Sequence, residues 1–158
     1  MKVEFIEPFV GSVFKVIETV TGDTPSRGQL ALRQATFTTQ QVSIMAGVNG
    51  EVEGTVLYGM STQTALKIAG AMMYMEVVEF DAMSLSALSE LGNMVTGNAI
   101  TSLSQNGYDV DITPPSVVRG VEVEVSTKPP ALVVPVNTQF GCIEINVSLV
   151  ENAMKQAA

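Results

Sequence analysis

Four residues near the middle of the chain have types and a spacing that would place their polar groups on one surface: Ser86, Glu90, Asn93 and Gly97. An α-helix advances about 100° per residue, so these positions fall within an arc of about 60°. We call this line of residues the ridge. It would present a carboxylate, a carboxamide and a hydroxyl together, opposite an apolar stripe. That stripe consists of Leu88, Leu91, Val95 and Ala99.

The ridge has two interpretations. The polar face of an amphipathic helix is usually just solvated, and periodicity alone favours that interpretation. Asn93 and Gly97 argue for a docking surface, because both are poor residues for a helix interior, glycine by up to about 1 kcal/mol relative to alanine. They stand on the exposed side, where core packing does not explain them, and a glycine there lets another backbone approach closely. The ridge is therefore a candidate docking strip.

The composition excludes several kinds of functional site. The chain has no histidine, which removes the usual general base, the usual zinc ligand and Ser-His-Asp triads. Its one cysteine, Cys142, excludes an internal disulfide, and the alternating sequence around it predicts a half-buried structural thiol, not a nucleophile. The net charge of −8 argues against nucleic acid or an anionic membrane as partner. Another protein is the expected partner.

Length and hydropathy predict one folded domain over residues 1–158. Hydrophobic residues make up 46% of the chain, yet no apolar run approaches the length of about 20 residues that spans a bilayer. The first residues lack the basic stretch and apolar core of a signal peptide. A cytoplasmic location is expected.

The elements that would position the ridge can be predicted from periodicity and turn signals. Helices are expected at 5–20, at 62–75 after an N-cap at Ser61, and from about 82 to 105 before a C-terminal cap at Gly107. The second helix would bury a stripe of Leu66, Ala69, Met72 and Met73. Strands are expected at 35–47, 51–60, 116–127, 131–136 and 141–150, with a hairpin at Asn49-Gly50.

The remaining segments are expected to be irregular: a polar connection at 26–34, an extended link at 108–115, and a frayed tail at 151–158. Each half of the chain reads as a helix followed by strands, a weak internal duplication. The predicted fold class is α/β in the α+β sense, with an antiparallel or mixed sheet packed against long helices.

The ridge resembles the active-site motif of the CheC, CheX and FliY phosphatases of bacterial chemotaxis. In that family Asp or Ser is followed four residues later by Glu, and Asn stands three residues after the Glu. The segment 111–120, which reads Asp-Ile-Thr-Pro-Pro-Ser-Val-Val-Arg-Gly, is similar to the extended stretch that follows the helix in CheX. CheC-type members carry the motif on both long helices, whereas the first helix here has no asparagine. The CheX group is thus the closer resemblance, and it implies a CheC-like fold and a homodimer.

The resemblance implies dephosphorylation of the aspartyl phosphate of a CheY-type response regulator. Asn93 would orient the attacking water, since a carboxamide both donates and accepts hydrogen bonds. Glu90 would pair with the regulator's active-site lysine. The resemblance implies no cofactor of the protein's own, because the regulator supplies Mg²⁺.

Four further residues are expected to bind the partner: Ser86, Gly97, Met94 and Ile100. Met94 and Ile100 flank the ridge, and they could equally pack against a neighbouring helix or a dimer mate. Ser86 could equally make only local hydrogen bonds on the helix surface. The alternative functions are a non-catalytic module that binds receiver domains or serves as a flagellar-switch adaptor, and a structural dimeric adaptor with a merely solvated ridge.

Overall fold

The computed structural model describes residues 3–128 and 130–153. In chain order the elements are α1 (Val3–Thr21), β1 (Ser26–Arg27), β2 (Ala31–Leu32), β3 (Thr36–Thr38), β4 (Val42–Gly50), β5 (Val52–Met60), α2 (Thr62–Met73), α3 (Ala82–Gln105), β6 (Val110–Ile112), β7 (Ser116–Arg119), β8 (Glu124–Ser126), β9 (Leu132–Thr138) and β10 (Gly141–Glu151). The predicted frayed tail is only partly described: Glu151 ends β10, and residues 154–158 lie outside the described part.

The main sheet has the order β1-β9-β10-β5-β4-β6, with β2 also paired to β9 and β7 also paired to β4. Every pairing in the described residues is antiparallel, so the sheet is of the antiparallel kind and not mixed. The predicted hairpin at Asn49-Gly50 is confirmed, since β4 turns into β5 there and Gly50 has a φ of +132°. A glycine is needed at this turn because a Cβ would lie 2.4 Å from the Asp109 carbonyl oxygen.

Two predicted strands are each divided in the structure. The segment 35–47 forms β3 and then β4, and 116–127 forms β7 and then β8. In both cases the chain leaves the main sheet, and β3 pairs with β8 in a separate small sheet. Glu122 with a φ of +58° breaks the second run, and Val121, predicted to lie within a strand, is 84% exposed. The predicted irregular connection at 26–34 contains the short strands β1 and β2.

The helices cover one face of the sheet and share its hydrophobic core. Alternate residues of each strand face them, as Ile143 and Ile145 do in β10. On the opposite face Arg33 forms an ion pair with Glu144 and donates from Nε to Asn146 Oδ1 at 2.9 Å, so the Arg33 side chain lies on that side.

The second helix begins as predicted but buries a different stripe. Ser61 caps α2, accepting a hydrogen bond from the Thr64 amide at 3.1 Å. The buried apolar residues are Ala65, Ile68 and Ala69. The predicted stripe is confirmed at Ala69, and Met72 packs partly buried against the core. It was wrong at Leu66 and Met73, which are only half-buried, because the hydrophobicity of these side chains does not fix which face meets the sheet.

The predicted duplication is visible in the order of the elements. In the first half α1 precedes β1 and β2 and then the hairpin β4-β5, and in the second half α3 precedes β6 and β7 and then the hairpin β9-β10. The short strands are exchanged, since β1 and β2 pair with β9 while β6 and β7 pair with β4. The two halves meet at the central pair β5 and β10.

Candidate docking site on the central helix

The central helix α3 is closed at both ends by local hydrogen bonds. Asp81 is the N-cap and accepts from the Ser84 amide at 2.8 Å, while Ser84 Oγ accepts from the Asp81 amide, which completes a capping box. The hydrogen bonds that the Ser84 amide and side chain make to the Asp81 carboxyl group hold its pKa below the ordinary value. At the other end Gly107 has a φ of +95°, which confirms the predicted C-terminal cap.

Close packing fixes the side of α3 that faces the sheet. A Cβ at Gly92 would lie 2.6 Å from Ile44 Cγ2, so the helix approaches β4 as closely as its backbone allows. Four residues further along, Thr96 Oγ1 lies 2.8 Å from the Tyr58 hydroxyl in a fully buried hydrogen bond. Burial raises the pKa of the Tyr58 phenol, and the bond to Thr96 opposes that shift. The rotation of α3 about its axis is thereby set.

The ridge faces solvent, as its spacing predicted. Ser86, Glu90 and Asn93 are exposed, and Gly97 is half-buried with no atom within 4 Å of the position that a Cβ would occupy. The predicted stripe of Leu88, Leu91, Val95 and Ala99 is buried in the core. Glu90 and Asn93 are three residues apart on one face, a spacing that brings their Cβ atoms to about 5–6 Å.

Charge is nearly absent from this surface helix. In its 24 residues α3 carries one ionisable side chain, Glu90. The exposed positions nearest to it on the ridge hold neutral groups, those of Ser86 and Asn93. A helix that only needs to be soluble ordinarily carries several charges on its outer face, so this low, nearly neutral surface is suited to contact. The signal is visible in the sequence but was not used in predicting the site.

Met83 is a further exposed residue beside the ridge that was not predicted from the sequence. Its side chain is 66% exposed, and it stands seven residues before Glu90, which puts it about 20° from Glu90 around the helix. It extends the ridge toward the N-terminus of α3. Met94 and Ile100, expected beside the ridge, are half-buried and pack against the core, so each presents only part of its side chain to solvent.

The helix α1 repeats the burial pattern of α3 at an offset of 86 residues. The buried pairs are Phe5 and Leu91, Ile6 and Gly92, Phe9 and Val95, Val10 and Thr96, Val13 and Ala99, and Ile17 and Leu103. At this offset Glu4 matches Glu90 and Gly11 matches Gly97, but Glu7 stands where α3 has Asn93. Glu7 forms an ion pair with Arg27 at 2.9 Å. The outer face of α1 therefore has residues that correspond to Glu90 and Gly97 of the ridge, but it lacks a carboxamide at the position of Asn93.

A metal site, a membrane helix and a reactive thiol are the alternatives to the ridge that can be checked in the part of the chain that the structure describes. Within residues 3–128 and 130–153 no three His, Cys, Asp or Glu side chains are grouped as metal ligands would be. The same residues include no helix with the length and apolarity needed to cross a membrane. Cys142 is exposed, so its expected half-burial was wrong, because it occupies the side of β10 opposite Ile143. Desolvation by neighbouring atoms, and then the charge of Glu144, raise the pKa of this thiol, which disfavours a nucleophilic role.

An open cleft of about 620 Å³ lies between the end of α1, α2 and Phe140. It does not include the ridge. The exposed carboxylate and carboxamide thus stand on a convex helix and not in a pocket. Fold and site together describe an antiparallel α+β protein whose candidate docking surface is an exposed helix face.

The chain matches the sequence profile of the family described as chemotaxis phosphatase CheX over residues 42–145. It is 34% identical over 138 residues to the CheY-P phosphatase CheX of Thermotoga maritima, covering 87% of this chain and 89% of that protein. The CheX protein in the crystallised CheX–CheY–BeF3–Mg²⁺ complex from Borrelia burgdorferi is 30% identical, with a TM-score of 0.80 over 95% of this chain and 100% of that one. A CheC-like superfamily protein from Shewanella sp. PV-4 has a TM-score of 0.85 at 27% identity, over 95% and 99% of the two chains. The chain belongs to the CheX family of chemotaxis phosphatases.

Proposed function

We propose that this protein removes the phosphoryl group from the phosphorylated aspartate of a CheY-type response regulator, with the ridge as its docking and reacting surface. One observation carries the proposal. The nearly uncharged helix α3 exposes one carboxylate and one carboxamide a turn apart, at the positions of the family's motif. The similar protein from Thermotoga maritima is named for the same activity on CheY-P.

The reaction requires little covalent chemistry from the residues of this chain. In an aspartyl phosphate, water attacks phosphorus in line with the carboxylate oxygen, the P–O bond breaks, and aspartate and inorganic phosphate are released. Catalysis is then largely a matter of positioning the water. The Asn93 carboxamide can accept one hydrogen bond from that water and donate another to the phosphoryl group or the water itself. Its exposure lets it enter the partner's site.

Glu90 serves as the docking charge. A carboxylate one turn from Asn93 can pair with the regulator's active-site lysine, which would fix the register of the two proteins. Ser86 and Gly97 form the low surface on either side, and the solvent-facing parts of Met94 and Ile100 add apolar contact. In this arrangement half of the active site belongs to the partner.

The metal also belongs to the partner in this proposal. The Borrelia burgdorferi complex contains Mg²⁺ together with CheY, and the described residues of this chain offer no group of ligands for a metal ion. When bound in the regulator, Mg²⁺ neutralises charge on the phosphoryl oxygens. The ridge contributes orientation and docking.

The proposal includes a homodimer built from one-domain protomers, each with one ridge. Because the enzyme must share a compartment with its regulator, the proposal also carries the cytoplasmic location expected from the sequence.

Replacing Asn93 tests the proposed role directly. Asn93→Ala should slow the stimulated decay of the phosphorylated regulator at least about tenfold, the scale seen when a positioning group is removed. Binding of the regulator should be largely retained, because a neutral side chain is lost. Asn98→Ala is the matched control, since Asn98 is exposed on the same helix but off the ridge. Undiminished decay with Asn93→Ala would refute the assigned role.

The wild-type protein distinguishes a phosphatase from an adaptor. If it binds the phosphorylated regulator without shortening the lifetime of the phosphoryl group, the protein is a receiver-binding module and the proposal is wrong. The exposed pair of Glu90 and Asn93 favours the phosphatase, because an adaptor has no need of the carboxamide.

A further inference from the structure

One cation lies beside the N-terminal end of α3 without a carboxylate partner in the described residues. Arg27 and Arg33 each form an ion pair, with Glu7 and Glu144 respectively. Arg119, at the end of β7, forms no ion pair within residues 3–128 and 130–153. Its guanidinium carbon instead lies 4.6 Å from the centroid of the Phe80 ring.

The position of Arg119 in the sheet places it on the same side of the molecule as the ridge. Arg119 pairs with Val42 in the antiparallel register of β7 and β4, and directly paired residues point to the same face of a sheet. Val42 belongs to the core beneath the helices, so Arg119 rises on the helix-bearing face. Phe80 comes directly before Asp81, the N-cap of α3.

Stacking on Phe80 prepares Arg119 to bind an anion. A guanidinium that lies over an aromatic ring is held in place by the ring while N–H groups stay available, and these fit a carboxylate with two hydrogen bonds. Phe80, Arg119 and Val121 line a shallow depression of about 410 Å³. Val121, 84% exposed, supplies an apolar wall. The depression therefore combines one oriented positive charge with apolar surface.

Distance makes the docked regulator the natural source of that anion. Asp81 and Glu90 are nine residues apart, or about 14 Å along the helix axis. A standard protein interface covers about 800 Å² on each partner, a patch with a radius of about 16 Å. A partner centred on Glu90 would thus cover α3 as far as its N-cap at Asp81, next to Phe80, over whose ring Arg119 lies. The net charge of −8 makes a nucleic acid an unsuitable occupant.

We propose that Arg119, held on Phe80, is a specificity-determining residue that pairs with a surface carboxylate of the response regulator docked on the ridge. The inference rests on the proposed function, since it assumes the same partner on α3. Receivers with an acidic side chain at the matching position are preferred substrates, and those with a neutral or basic one are disfavoured.

Charge removal with a matched control tests the pairing. In Arg119→Gln the KM for the phosphorylated regulator should rise about three- to tenfold at low ionic strength, with kcat within about twofold of wild type, because rim charges act mainly on association. The difference should shrink in about 0.5 M salt, where exposed charges are screened. Lys128→Gln removes the same charge from an exposed position just after β8 and should leave KM unchanged.

Two further variants examine the geometry. Arg119→Lys should recover part of the association rate by restoring charge, and Phe80→Leu should lose part of it by removing the stacking platform. Unfolding curves establish that all variants fold. A KM and salt dependence of Arg119→Gln equal to those of wild type and of Lys128→Gln would overturn the inference, as would Arg119→Lys giving no recovery.

The same variants separate this inference from the proposed function. If the wild-type protein fails to accelerate decay, the phosphatase proposal fails. Titration against the regulator activated with beryllofluoride and Mg²⁺ still decides whether Arg119 contributes to binding. If decay is accelerated but Arg119→Gln changes neither affinity nor KM, the phosphatase proposal stands and the pairing falls.

Discussion

Glu90 is distinguished less by its own environment than by the lack of charge around it. It is exposed, and the other residues of α3 are uncharged. A single charge on a neutral surface has an unambiguous partner, because no neighbouring residue of the helix can take its place. Loss of this carboxylate should therefore be felt in docking more than loss of any neutral ridge residue.

Glu90→Gln should weaken binding of the activated regulator at least about tenfold, since truncating one partner of an interfacial charge pair leaves the other unpaired. The affinity can be measured by titration with a beryllofluoride-activated receiver. Glu18→Gln is the control, because it removes an exposed carboxylate from α1 away from the ridge. Equal affinity of Glu90→Gln and wild type would contradict the docking role.

On the scale of the helix, the glycine of the ridge carries a stability cost that the fold does not require. Gly97 and Gly11 occupy matching positions in α3 and α1, and a Cβ at either would meet no atom within 4 Å. Alanine at both sites is thus sterically free and favours the helix. If Gly97 is kept for close approach of a partner, the two sites will differ in function but not in stability.

Gly11→Ala and Gly97→Ala should each raise the free energy of unfolding, by up to about 1 kcal/mol. Only Gly97→Ala should weaken docking of the regulator, because its methyl group would project from the ridge and prevent close approach of the partner's backbone. Urea unfolding and regulator titration of the two variants provide the comparison. A Gly97→Ala protein that is stabilised and docks normally would remove Gly97 from the interface.

The cap of α3 makes part of the protein's stability depend on pH. Hydrogen bonds from the Ser84 amide and hydroxyl lower the pKa of Asp81 below its ordinary value of 3.8. A carboxyl group with a lowered pKa in the folded state stabilises that state above its unfolded pKa, and the stabilisation disappears as the pH falls through the folded pKa. The affected range therefore lies below about pH 4.

Asp81→Ala should lower the melting temperature at pH 7, whereas Asp81→Asn should retain most of it, because asparagine is also a good N-cap. In both variants the fall in melting temperature below about pH 4 should be smaller than in wild type. Calorimetry at several pH values measures both effects. If the melting temperature of the variants falls in acid as steeply as that of wild type, the capping hydrogen bonds do not stabilise the Asp81 carboxylate.

On the scale of the whole molecule, local sequence patterns predicted which residues form helices and turns better than they predicted how the strands are arranged in sheets. The period of α3, its cap at Gly107 and the hairpin at Asn49-Gly50 are each encoded within a few residues, and all three are confirmed. The sequence did not predict that β3 and β8 leave the main sheet and pair with each other. The reason is that β propensity does not reveal which partner a strand will pair with.

The candidate site was likewise predictable only in part from the sequence. Helical spacing alone predicted that Glu90 and Asn93 face solvent, but their proposed roles came from resemblance to a family. The contact of Arg119 with Phe80 joins residues 39 positions apart in the sequence, and periodicity carries no information about such a pair.

The junction of the two halves gives a prediction for the entire fold. At Gly54, φ is +145° and a Cβ would lie 1.9 Å from the Ser148 carbonyl oxygen, within the central pairing of β5 and β10. Gly54→Ala should therefore lower the free energy of unfolding by at least about 3 kcal/mol. Because β5 and β10 form the longest pairing between the halves, and the short strands are exchanged between them, both halves should lose structure in one transition. Far-UV circular dichroism and tyrosine fluorescence should give coincident unfolding curves. Gly11→Ala controls for the change of residue type, and a second transition in Gly54→Ala would mean that each half is stable without the other.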